Sequence, residues 1–131
     1  MNADTTLRVA RPTDRLDEVV RFYVTGVGLQ KLDEFSDHGG FDGVMLGVPG
    51  SPYHLEFTRQ RGHPVGRAPT REHLIVFYLP DRAGWKAAVD RMVAAGYHPV
   101  APVNPYWSRV GRTFEDPDGY HVVFQHASWP A

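Results

Sequence analysis

The chain has 131 residues and no cysteine. A disulfide framework, a thiolate metal centre and a cysteine nucleophile are therefore excluded, and the composition suits a reducing compartment. No apolar run approaches the length needed to cross a bilayer. The N-terminus, Met1-Asn2-Ala3-Asp4, leads straight into a strand-like stretch without the basic-then-apolar pattern of a secretory signal. A cytoplasmic protein with no membrane partner is the expectation. Charge of one sign is also missing: 14 Lys and Arg stand against 15 Asp and Glu, interspersed, for a formal net charge of −1. That leaves no electrostatic footprint for nucleic acid. What remains, 42% hydrophobic and 22% charged residues, is enough to bury one core and too short for two full-sized domains, so residues 1–131 are read as a single domain.

The most informative feature present is a recurrence. Tyr53-His54-Leu55-Glu56-Phe57 returns as Tyr120-His121-Val122-Val123-Phe124, each copy following a Pro/Gly turn. Side chains alternate between the two faces of a strand. His54 and Glu56 therefore share one surface, and His121, Val123 and Gln125 share another. One supersecondary unit used twice about a pseudo-twofold axis would turn both polar faces toward one cavity, which is where function is expected.

The rest of the chain fits two halves of similar plan. Leu7 to Arg11 alternates as a strand, Pro12 closes it, and Thr13 or Asp14 can cap a helix whose apolar positions Leu16, Val19, Val20 and Tyr23 recur at helical spacing. Gly26 and Gly28 end that helix. Strands are expected over 41–47 and 53–58, and a further one over 30–35 would complete a βαβββ unit. Residues 60–71, basic and rich in Gly and Pro, read as a surface linker between a first module over about 5–59 and a second over about 72–127. In the second module, 73–79 reads as a strand, Trp85, Ala88, Val89 and Met92 as one helix face, 97–101 as a strand, 104–107 as a loop, and 112–115 and 120–125 as the closing strands.

These features resemble the vicinal oxygen chelate superfamily, which includes glyoxalase I, extradiol dioxygenases and the fosfomycin- and bleomycin-resistance proteins. The residues that carry the resemblance are Arg21-Phe22-Tyr23 with Gly28-Leu29, Tyr53 to Thr58, His73-Leu74-Ile75-Val76, and Phe114-Glu115-Asp116-Pro117-Asp118-Gly119-Tyr120. They span roughly residues 6–126. The resemblance implies an α+β fold: two tandem βαβββ modules forming an open, curled mixed sheet around a cavity, with the helices outside. It also implies a homodimer.

The superfamily's metal site draws one residue from each of four strands. Carried over by position, Glu56 and His73 are of ligating type. The other two positions fall on Thr6 or Arg8 and on Val123. Arginine carries no free lone pair and valine cannot coordinate, so no metal cofactor is favoured. A shifted set, with His73, Glu56 and His121 as ligands and His54 in support, would be adequate chemistry for Zn, Ni, Fe or Mn. It would require a displacement of roughly 7 Å along the strands. An Arg8–Glu56 ion pair would instead put a guanidinium in the cation's place.

Tyr106, Trp107 and Phe77 could supply flat apolar walls for a planar ligand. Asp116 and Asp118 belong to a turn, in which Pro117 sets φ and Gly119 supplies a positive φ. The reading is a small-molecule-binding protein resembling the bleomycin-resistance branch. Its candidate ligand contacts are Arg8, His54, Glu56, His73, Phe77, Tyr106, Trp107, His121 and Gln125. Two alternatives use the same cavity. One is a metal-dependent lyase, isomerase or dioxygenase of the glyoxalase or extradiol type; the other is a metal-free acid/base enzyme with Glu56 and His73 as its catalytic groups.

Overall fold

The computed structural model describes residues 1–130. Leu7–Pro12 forms β1, and Leu16–Arg21 forms α1, which runs on into one π turn over Phe22–Gly26. β2 (Gln30–His38), β3 (Phe41–Gly47) and β4 (Tyr53–Gln60) complete the first module. The second comprises β5 (Leu74–Tyr78), α2 (Arg82–Ala94), a short 3-10 turn over Pro105–Ser108, β6 (Gly111–Glu115) and β7 (His121–Gln125). The sheets run in the orders β1-β4-β3-β2 and β5-β7-β6. In each, the first strand lies parallel to the last, so the repeated segments occupy equivalent places beside β1 and β5. This is the open two-module α+β architecture that the resemblance implies.

One expected strand is missing. Residues 97–101 contribute a single bridge, Val100 to Thr113, in place of a paired strand. Pro99 and Pro102 flank that bridge, and neither has an N–H to donate to a ladder. The Val100 amide makes the segment's one bond to β6, 2.8 Å to the Thr113 carbonyl. The second sheet thus has three strands, roofed by a proline-rich loop.

Alternation along the strands sorts the side chains. Leu55 and Phe57 on β4, with Phe114, Val122 and Phe124 on β6 and β7, join Val19, Phe22, Tyr23 and Met92 from the helices in one continuous buried cluster. Each large side chain removed from water in this way contributes about 1.5–3 kcal/mol. The helical segments of the two modules also meet. A Cβ at Gly26 would lie 2.9 Å from Met92 Sδ and 3.1 Å from the Tyr97 ring, so a larger residue there would make those side chains shift.

A polar junction reinforces the apolar one. Asp116 is buried. Its Oδ1 accepts the amides of Asp118 and Tyr120 at 2.8 and 3.0 Å, which is the turn chemistry the sequence predicts. Its Oδ2 accepts from the Tyr23 hydroxyl at 2.7 Å and from Arg11 at 3.0 Å, both in the other module. The Arg11 guanidinium lies 3.7 Å from the centre of the Tyr120 ring, and Arg15 reaches Asp118 at 3.2 Å. Burial, and then the neighbouring Asp116 charge, push the Tyr23 hydroxyl well above its ordinary pKa, so it remains a donor.

The β2–β3 hairpin has its own clamp. Arg61, just beyond β4, donates to both oxygens of Asp42, and the Asp37 amide donates to Oδ1. The Arg61 hydrogen bonds, followed by the Asp37 amide, lower the Asp42 pKa from 3.8 to about 2.

Replacing Asp116 with Ala removes the acceptor and leaves Arg11 and Tyr23 without a partner in a nearly dry site. We expect a loss of about 3–5 kcal/mol in urea unfolding; a loss below about 1 kcal/mol would show the junction to be incidental. Because the folded Asp42 pKa lies below its ordinary value, the clamp's contribution is present in full above about 3.8 and is lost as the pH falls through about 2. Carboxyl NMR should locate the Asp42 midpoint near 2, and Arg61→Gln should return it toward 3.8.

Candidate functional site

β1 and β4 pair with Arg8 opposite His54 and Ala10 opposite Glu56. Arg8, His54 and Glu56 therefore share the face turned away from the helices. Arg8 Nε donates to His54 Nε2 at 2.8 Å, and its Nη1 lies 3.8 Å from Glu56 Oε2. The guanidinium bridges the two groups that could otherwise approach a cation from β4. The arrangement is partly open to solvent, with the Arg8 side chain 49% exposed and that of Glu56 13%.

In the second module the corresponding face is buried. On β7, His121 lies opposite Glu115, Val123 opposite Thr113, and Gln125 opposite Gly111. His121 Nε2 lies 3.2 Å from Glu115 Oε1. Thr113 Oγ1, His121 Nδ1 and Gln125 Oε1 are buried without hydrogen-bond partners. Trp107, from the roofing loop, lines two small cavities. One, of about 370 Å³, touches Gly111 and Thr113; the other, of about 240 Å³, touches Leu74. Tyr106 packs edge-on against Trp107 and is itself half exposed.

A larger cavity, of about 760 Å³, opens between the edge strands β1 and β5. Leu7, Val9 and Tyr53 line it from one side, and Ile75, Phe77 and His73 from the other. Leu7, Val9, Tyr53 and Leu55 belong by register to the helix-facing side of the first sheet. The His73 side chain lies at the cavity's end, its ring 6.0 Å from that of Tyr120.

The structure thus separates residues that the sequence placed around one hollow. Arg8, His54 and Glu56 form one row. His54, His73 and Phe77 line the cavity between the edge strands, and Arg8, Glu56, His121 and Gln125 are outside its lining. His73 and Glu56 are set on different faces. The strand registers set Arg8 opposite His54 and Leu74 opposite His121, so the second-module counterpart of Arg8 is Leu74. His73 is one residue out of step, and a step of one along a strand reverses the face. Among the described residues no hydrogen bond or ion pair joins His73 to Glu56. The sequence grouped His121 and Gln125 on one face but missed Thr113, buried beside them on β6 without a hydrogen-bond partner, because a lone threonine carries no motif.

The residues do not fit a four-ligand cation site. Arg8 offers no lone pair, Val123 no donor atom, and His73 faces elsewhere. Among the described residues no three His, Asp or Glu side chains are grouped to hold an ion.

Residues 7–58 match the YycE-like N-terminal domain family and residues 72–126 the YycE-like C-terminal domain family. The chain is 46% identical over 121 residues to the uncharacterized protein YycE of Bacillus subtilis, covering 92% of this chain and 87% of that one. The crystal structure of a YycE protein from Bacillus subtilis superposes with a TM-score of 0.87 at 44% identity, covering 95% of this chain and 91% of that one. Two more distant structures show a shared fold. They are the fosfomycin resistance protein FosX of Mesorhizobium loti (TM-score 0.73, 10% identity, 98% and 96% covered) and TnmS3, an antibiotic binding protein of Streptomyces sp. CB03234 (TM-score 0.65, 20% identity, 95% and 97% covered).

Proposed function

The chain belongs to the YycE-like family, within the vicinal oxygen chelate superfamily, and from that premise we propose that it binds a small molecule without a chelated metal. The observation that carries this reading is the place of Arg8. Its guanidinium lies between His54 and Glu56, 2.8 and 3.8 Å away, and supplies the positive charge there. A guanidinium can hold a carbonyl, carboxylate or phenolate oxygen of a ligand by hydrogen bonding, but it cannot polarise vicinal oxygens by coordination. Glu56, paired with it, serves to orient Arg8 in preference to abstracting a proton. The antibiotic-binding name of TnmS3 is consistent with a non-catalytic role on this fold, although fold alone does not assign it.

The reading includes a second copy of the chain. β1 and β5 are both sheet edges, and Leu7 and Val9 on β1 are 58% and 46% exposed. Unpaired edges flanking an apolar cavity are suited to an isologous contact in which each copy's β1 meets the other's β5. A dimer of this kind would place one copy's Arg8 row near the other's second module. The proposed setting is cytoplasmic.

Elemental analysis of untagged protein purified without chelator should find no stoichiometric metal, and titration with Zn, Ni, Fe or Mn should show no site. Glu56→Ala should weaken an aromatic ligand identified by a thermal-shift screen about tenfold, equivalent to about 1.4 kcal/mol. A stoichiometric ion lost on Glu56→Gln would overturn the reading. Light scattering should give twice the 14.7 kDa chain mass, and Val9→Lys should reduce it to the monomer. A wild-type mass of one chain would remove the dimer from the proposal.

A further inference from the structure

The cavity between the edge strands has a polar end and an apolar body. Near the end of β1, the Arg11 guanidinium lies 3.7 Å from the centre of the Tyr120 ring. The ring of His73, the residue just before β5, is 6.0 Å from that of Tyr120. All three residues line the cavity, so the close of β1 and the start of β5 come together at one end of it. From that end β1 leads back through Val9 to Leu7, and β5 leads on through Ile75 to Phe77. Four residues of strand span about 13 Å. The cavity is therefore an elongated cleft, cationic at one end and apolar along its length.

The polar end has donors to spare. Arg11 commits Nη1 to Asp116 at 3.0 Å, and a guanidinium carries five N–H groups. The His73 ring, open to solvent, makes no hydrogen bond among the described residues, and an imidazole of either charge offers an N–H. Arg11, His54 and His73 line the cleft, and no Asp or Glu does. Its body is costly to leave in water: Leu7 and Val9 are 58% and 46% exposed. Apolar surface gathered in a concavity marks a binding groove, and a volume of about 760 Å³ is within the range of small-molecule sites.

We propose that this cleft binds an aliphatic monocarboxylate, with the carboxylate against Arg11 and His73 and the hydrocarbon along Val9, Leu7, Ile75 and Phe77. Arg8 and Glu56 are outside the lining, so the site is separate from the Arg8 row and independent of the reading that rests on it. A carboxylate matches the donor geometry of a guanidinium. Asp116 already balances part of the Arg11 charge, which suits a ligand with one negative charge over a dianion such as phosphate. The apolar walls then set chain length, because each methylene removed from water adds to affinity.

Calorimetric titration of the full-length protein with octanoate, butanoate and octan-1-ol tests the site. Octanoate should bind about thirtyfold more tightly than butanoate, through its additional methylenes, and about tenfold more tightly than octan-1-ol, which lacks the charge. His73→Ala removes a ring that holds nothing else in place, and should weaken octanoate about fivefold while leaving octan-1-ol unchanged. Val9→Glu should abolish octanoate binding and Val9→Lys should retain it; both put a charge on the same edge, so only its sign separates them. Absence of octanoate binding, equal affinity for octan-1-ol, or equal effects of the two Val9 variants would overturn the site. Loss of octanoate binding in Glu56→Ala would move the ligand to the Arg8 row, overturning this site and leaving small-molecule binding there in place. A fall in mass to one chain as octanoate is added would assign the cleft to a second copy and overturn the site as well.

Discussion

The junction of Arg11, Tyr23 and Asp116 governs how the two modules sit together. Asp116 belongs to the turn that launches β7, and its second oxygen is held by groups from β1 and from the π turn after α1. One carboxylate therefore closes its own turn and ties that turn to the other module. The apolar cluster supplies most of the burial, but hydrophobic contact is non-directional. Two hydrogen bonds to one buried oxygen, with a guanidinium over the Tyr120 ring, fix orientation. The edges of β1 and β5 are consequently set apart at a defined spacing, and the cavity between them is a consequence of that spacing.

Much of the fold was legible because it rests on periodicity. The alternation in Leu7 to Arg11 and in Tyr53 to Thr58, the helical spacing of Leu16, Val19, Val20 and Tyr23, and the Pro/Gly turns all constrain local backbone directly. The recurrence of the YH segment revealed the duplication. Residues 97–101 misled because Tyr97 and Val100 suggest a strand, whereas the prolines on either side remove the donors a ladder needs. Asp116 was legible as a turn former and illegible as a junction, since nothing local marks a side chain 93 residues from its Tyr23 partner.

The site was less legible for a related reason. Alternation says which residues share a face within one strand, and it correctly groups His54 with Glu56. It does not fix register between strands that lie far apart in sequence. The placement of His73 turns on that register: a histidine one position before β5 looks equivalent to a ligand on a neighbouring strand until pairing shows that Leu74 takes that level. A single-residue offset decides between a group beside Glu56 and a group at the end of a different cavity.

The two polar faces have opposite economies of burial. In the first module Arg8 satisfies His54 and Glu56, and the whole row remains partly hydrated. In the second, three groups are buried and, among the described residues, without hydrogen-bond partners. If packing alone had shaped that face, Thr and Gln could be Val and Leu at little structural cost, as Val123 already is.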